Sequence, residues 1–98
     1  MAIRFTPLAS SDLEAIGDYI AQDNPDRAYS FVLEIRNQCR KIASAPTTYK
    51  CRPEFGESIR SCAFGRYVIF YKAEDEGVLI IRILDGAMDI AAHIGGEH

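Results

Sequence analysis

The run "VLIIRIL", residues 78–84, constrains this chain more than any other stretch. It is apolar at every position but one. A strand that does not alternate buries both of its faces, so this run predicts a central strand in a sheet covered on both sides. The exception is Arg82. A charge inside such a strand requires a partner or a solvent-facing groove.

The neighbouring residues extend the sheet. "SIRSCAF" and "YVIFYKA" flank a Gly65-Arg66 turn, and "EDEG" is a polar hairpin loop ending in Gly77. Strands are therefore expected near 58–64, 67–73 and 78–84, as an antiparallel meander. Alternation puts Tyr67, Ile69 and Tyr71 on one side and Val68, Phe70 and Lys72 on the other. Leu79, Ile81 and Ile83 are expected on the core side of the last strand. Arg82 is expected to share the other face with Val78, Ile80 and Leu84. Asp85-Gly86 ends the meander, residues 87–94 suit two short helical turns, and 95–98 should fray.

The first half of the chain is helical in pattern. "AIRF" reads as a short strand over 2–6. Thr6 is a candidate N-cap with Pro7 at the first helical position. Ala9, Leu13, Ile16, Gly17 and Ile20 form one apolar stripe, so a helix is expected over 7–22. Asn24 and Pro25 repeat the start signal. Ala28, Phe31, Val32, Ile35, Cys39 and Ile42 give a second stripe over 25–44, with Arg36, Arg40 and Lys41 near the end where the helix dipole favours cations. Two such helices joined by a few residues form an antiparallel hairpin. Residues 46–57 read as a loop anchored by Tyr49 and Phe55. The order is β-α-α-β-β-β, an α+β fold with a helical hairpin on one face of a mainly antiparallel sheet of three or four strands.

At 98 residues, one domain spanning 1–98 is the expectation. No apolar run approaches the ~20 residues of a membrane span, and the start does not read as a signal peptide. A soluble cytoplasmic protein is expected. Cys39, Cys51 and Cys62 match no zinc or redox spacing, and the two histidines lie late, so no metal or cofactor site is expected. The thiols read as reduced, with a Cys51–Cys62 bridge as the alternative.

Net charge is −3, which gives no general reason to expect sequence-specific DNA binding. Within it, residues 36–72 hold eight basic and two acidic groups, a +6 segment inside an acidic chain. It forms a patch only if the fold gathers it.

Three stretches, "DLEAIGDYIAQDNPDRA", "RPEFGESIRSCAFGRYVIFYK" and "VLIIRILDGAMD", resemble the RelE/ParE toxin superfamily, in particular its ParE-like branch. The resemblance implies a RelE-like fold and a toxin held inactive by a ParD-like antitoxin. It also implies gyrase as the target, blocked without catalysis. RelE-like relatives instead cut mRNA on the ribosome, which leaves nuclease activity as the alternative, together with an inactive interaction module. A nuclease needs cations and an acid–base group beside them. Arg60, Arg66 and Arg82 are candidate cations, but the positions after the last strand read Asp85, Gly86, Ala87, Met88 and Asp89. His93, the late imidazole, reads as an exposed residue. Family sequences often carry His where Asp85 stands and Arg where Met88 stands.

The expected target surface is Arg60, Arg66, Arg82, Asp85 and Met88. The expected antitoxin surface is Tyr19, Tyr29, Arg36, Arg40 and Lys72. For Arg82 an ion pair, with Glu57 or an antitoxin acid, and a target contact both satisfy the residues.

Overall fold

The computed structural model describes residues 2–94. The element order is β1 (Ala2–Phe5), α1 (Pro7–Ala21), α2 (Pro25–Ser44), β2 (Lys50–Cys51), β3 (Arg60–Phe64), β4 (Tyr67–Glu74), β5 (Gly77–Asp85) and α3 (Ile90–His93). The fold is the expected α+β arrangement, with helix and strand ends close to those read from periodicity. Both helix starts form as the sequence implies. The Thr6 hydroxyl accepts from the Ala9 N–H and the Asn24 side chain from the Arg27 N–H, each with proline at the first helical position. The frayed end expected at 95–98 lies outside the described residues.

The sheet has five strands in the order β1-β5-β4-β3-β2. The added strand comes from the supposed loop, where Lys50 and Cys51 pair with Ser61 and Arg60. A two-residue strand is too short to carry a period, which is why no pattern announces it. β1 lies parallel beside β5, and the other pairs are antiparallel. β5 is thus an interior strand, as its apolar run requires.

The helical hairpin covers one face. Leu13, Ile16, Ile35, Cys39 and Ile42 pack against Tyr67, Ile69, Tyr71, Val78, Ile80 and Ile83. The other face carries a smaller cluster of Ile59, Phe70, Leu84 and Ile94, with Phe55, Val68, Ile81 and Ile90 against it. α3 and the turn at Pro53–Phe55 therefore cover part of the face the hairpin leaves open.

The sidedness expected for β4 holds, but that of β5 needs correction. Phe70 pairs with Arg82 and Tyr71 with Ile80, so Ile81 is an extra residue in a bulge. The extra residue reverses the parity of the strand. Val78 and Ile80 face the helices before it and Ile83 after it, while Ile81 joins the opposite face. Of the three residues assigned to the helix-side core, only Ile83 belongs there.

The role of Gly77 also changes. It pairs with both Glu74 and Ala2, where a Cβ would sit 1.7 Å from the Ala2 carbonyl oxygen. The requirement is close approach of β1 rather than the hairpin loop. All three cysteines are free in this fold, with Cys39 and Cys62 buried and Cys51 exposed.

Gly77→Ala is expected to displace β1 and cost about 3 kcal/mol or more. Gly65→Ala, where nothing lies within 4 Å of the added carbon at φ +59°, should cost only the left-handed backbone, about 1–2 kcal/mol. Urea unfolding midpoints of the two variants check this, and equal losses would contradict it.

Burial pushes the Cys39 thiol up to about 11 and raises the Cys62 thiol as well. At pH 8 roughly one Cys39 in a thousand is then thiolate. An aromatic disulfide reagent should label Cys51 quickly in the native chain and all three thiols after unfolding. A second fast thiol in the native chain would show that the core opens.

Candidate functional site

The site begins where β1 stops. Past Ile80, β5 has no strand on that side, because the chain has turned into α1. Helix residues take over the exposed edge. The Thr6 N–H donates to the Ile80 carbonyl at 3.0 Å and the Thr6 hydroxyl to the Ile81 carbonyl at 2.7 Å. Further along α1, Asp12 Oδ2 accepts from the Ile83 N–H at 3.0 Å.

The same carboxylate holds Arg82. Its Nε donates to Asp12 Oδ2 at 2.8 Å and its Nη2 to Oδ1 at 2.9 Å, a two-pronged pair. Both side chains are only 14% exposed. Of the possibilities left open for Arg82, an ion pair is realised, and its acid is Asp12, because the fold brings α1 against the end of β5.

Around this pair lies a cleft of about 390 Å³. α1 contributes Asp12, Ala15, Ile16 and Tyr19, and the β3–β4 turn contributes Arg66 and Tyr67. Arg82, Ile83, Leu84 and Asp85 come from β5, and Met88 follows it. At the rim, Arg66 Nη2 pairs with the Asp85 carboxylate. Asp85 Oδ1 also accepts from the Ala87 N–H at 2.9 Å, and the Gly86 N–H donates to the Arg66 carbonyl at 2.8 Å. The Ala87 N–H and the Arg66 guanidinium hold the Asp85 carboxyl below its ordinary range.

A second cleft, of about 560 Å³, opens on the far face. Phe55, Ile59, Ile81 and Ile94 give it apolar walls, and Glu57, Lys72, Arg82 and His93 line it as well. Arg82 is common to both clefts. His93 is exposed, as expected, yet it lines the same cleft as Arg82. It comes there because α3 folds back over the sheet.

Of the expected target residues, Arg66, Arg82, Asp85 and Met88 share the first cleft. Arg60 does not join them. It stands at the other edge of the sheet and donates to the Tyr49 carbonyl at 2.7 Å, tying down the loop before β2.

Of the expected antitoxin residues, Tyr19 falls in the cleft with the target set. Tyr29, Arg36 and Arg40 lie on α2, where with Leu33 they recur at four-, three- and four-residue steps as one stripe. Tyr29 is 71% exposed and Leu33 44%. Lys72 lies apart from them, in the far-face cleft.

The +6 segment is not gathered into one patch. Arg36 and Arg40 flank β1, while Lys50, Arg52 and Arg60 sit at the β2 and β3 edge on the opposite side of the sheet.

Asp12 escaped sequence reasoning. Seventy positions separate it from Arg82, and the acids of its helix read as a solvated face. Among the described residues, no group of three or more His, Cys, Asp or Glu side chains is placed to hold a metal ion. No described helix is long and apolar enough to cross a membrane.

Residues 3–90 match the family model of the ParE toxin of the type II toxin-antitoxin system, parDE. Toxin ParE3 of Caulobacter vibrioides is 28% identical over 94 residues, covering 95% of this chain and 93% of that protein. Toxin ParE1 of the same organism is 30% identical over 93 residues, covering 94% and 96%. Among solved structures, a chain from the "chromosomal ParDE TA system from P. aeruginosa" aligns with a TM-score of 0.72 at 23% identity. The alignment covers 87% of this chain and 95% of that one. At that identity the likeness concerns the fold.

Breaking the buried pair from either side leaves a buried charge. Asp12→Ala and Arg82→Ala are each expected to cost about 3–5 kcal/mol. The double variant should cost well under the sum of the two, with a coupling above about 1 kcal/mol. Chemical denaturation of the four chains checks this, and additive losses would mean that the pair does not act as a unit.

Proposed function

This chain belongs to the ParE toxin family of type II toxin–antitoxin systems, and on that premise we propose that it inhibits DNA gyrase by surface contact and is neutralised by a ParD-type antitoxin. The observation that carries the reading is the state of the cleft cations. Arg82 is held by Asp12 and Arg66 by Asp85. A scissile phosphate would have to compete with two carboxylates already in place, at a site that offers neither an imidazole nor a metal cluster among its described residues. An apolar floor of Ile16, Ile83 and Leu84, rimmed by Tyr19, Met88 and two ion pairs, suits contact with another protein.

For the antitoxin, the exposed α2 stripe is the favoured seat. Tyr29 and Leu33 supply apolar contact, and Arg36 and Arg40 call for acidic partners. An amphipathic antitoxin helix laid along α2 meets both demands. Both partners place this toxin in the bacterial cytoplasm.

One observation favours a second reading, mRNA cleavage on the ribosome. His93 lines the far-face cleft with Lys72 and Arg82, so an imidazole does stand near two cations.

Supercoiling by purified gyrase with ATP, run beside a ribosome-bound mRNA cleavage assay, separates the readings. Met88→Asp and Arg66→Glu are expected to raise the half-inhibitory concentration about tenfold or more, with circular dichroism unchanged. His93→Ala should inhibit like the parent chain. Codon-specific mRNA cuts that vanish with His93→Ala, while gyrase keeps working, would establish the nuclease instead. An effect in neither assay would leave an interaction module without toxin activity.

A further inference from the structure

Among the described residues the exposed large apolar side chains are Leu8, Tyr19, Tyr29, Leu33 and Met88. Leu8 lines the far-face cleft, and Tyr19 and Met88 line the first. Tyr29 and Leu33 differ. They stand one turn apart on α2, away from the stripe of Ala28, Ile35, Cys39 and Ile42 that the helix buries.

The charges around them follow a pattern. Asp26, Tyr29, Leu33, Arg36 and Arg40 recur at steps of three, four, three and four, the spacing of a seam between two helices. All of them are exposed. Leu33 is the midpoint, with Asp26 seven positions before it and Arg40 seven after. Arg4, Arg27, Arg52, Arg66 and Arg82 each pair with a carboxylate. Among the described residues neither Asp26 nor Arg40 forms an ion pair, and Arg40 donates to the neutral side chain of Asn37. The two ends of the seam thus present opposite charges that the fold itself does not use, about 21 Å apart along the helix.

A seam that is acidic at one end, apolar in the middle and basic at the other is complementary to itself when reversed. A two-fold axis at Leu33 sets Leu33 against the partner's Leu33. It brings Asp26 against the partner's Arg40 and Arg40 against the partner's Asp26. A parallel arrangement would oppose acid to acid and base to base, which like charge disfavours.

We infer that, when no antitoxin is bound, the exposed seam of α2 pairs two copies of this chain, antiparallel and about a two-fold axis. The pairing goes beyond the antitoxin reading and does not rest on it. A succession does rest on it: an antitoxin helix that takes the same stripe displaces the second copy. No residue lining the first cleft lies on α2, so the pairing does not draw on the proposed gyrase contact. Two apolar side chains per copy make a small interface. The pair is therefore weak and takes its register from charge.

The test is sedimentation of the free chain, under reductant so that Cys51 cannot cross-link it, up to about 1 mM. The chain should pass from monomer to dimer, and added salt should weaken the dimer. Leu33→Asp, Asp26→Arg and Arg40→Asp should each weaken it about tenfold or more, with native circular dichroism. An equal mixture of the Asp26→Arg and Arg40→Asp chains should recover the dimer, because each then meets its opposite charge at both ends. The chain carrying both reversals should also recover it. A monomer at every concentration would overturn the inference, as would a dimer that none of the three substitutions weakens. Failure of both the mixture and the double reversal to recover the dimer would overturn it too. The antitoxin encoded beside this chain, added to the dimer, should leave no contact between α2 helices. A dimer that survives in the complex and still weakens with Leu33→Asp would uphold the pairing and overturn the succession. If no complex forms, the antitoxin reading fails, and the sedimentation of the free chain decides the pairing by itself.

Discussion

The Arg82–Asp12 pair is the contact on which the working half of the molecule depends. It sits where β1 has ended and β5 continues, at a bulge that sets Ile81 out of register. One carboxylate answers two demands there, the guanidinium and the Ile83 N–H. Leaving either unmet would strand a polar group in a mostly dry site. The pair therefore fixes how α1 lies on the sheet and sets the wall shared by the two clefts. A buried pair of this kind need not raise net stability over an apolar replacement, but it specifies one arrangement.

From that arrangement follows a division of labour among the arginines. Arg66 and Arg82 are tied to carboxylates and shape a cleft of apolar floor and charged rim. Arg60 and Arg52 anchor the loop and short strand at one sheet edge. Arg36 and Arg40, along α2, carry charge outward beside the other edge. The clustering of basic residues in the middle of the chain is thus not one electrostatic feature. It is divided among separate places: the first cleft, the two sheet edges and, for Lys72, the far-face cleft.

The two faces of the sheet also differ in how firmly they are covered. The helical hairpin seals one side with long apolar stripes. The other is roofed by one turn of helix and a short 3-10 turn, which leave an open cleft between them. That contrast is how His93, just past the last strand in the sequence, comes to line the same cleft as Lys72 and Arg82.

Much of the fold was legible without coordinates, because its signals are local. Thr6-Pro7 and Asn24-Pro25 mark helix starts through their own hydrogen-bonding chemistry. The stripes of α1 and α2 repeat with the helical period, and "VLIIRIL" declares an interior strand by lacking alternation. The need of Arg82 for a partner was equally evident from one residue in its context. What the tertiary structure alone decided was every property that depends on two distant segments meeting. Asp12 as the partner, the parity reversal at Ile81, the two-residue strand at Lys50–Cys51, and the separation of Tyr19 from Tyr29 and of Arg60 from Arg66 are all of this kind. A period or a cap is written in neighbouring residues. A bulge or a long-range ion pair arises only when packed elements force a register on one another.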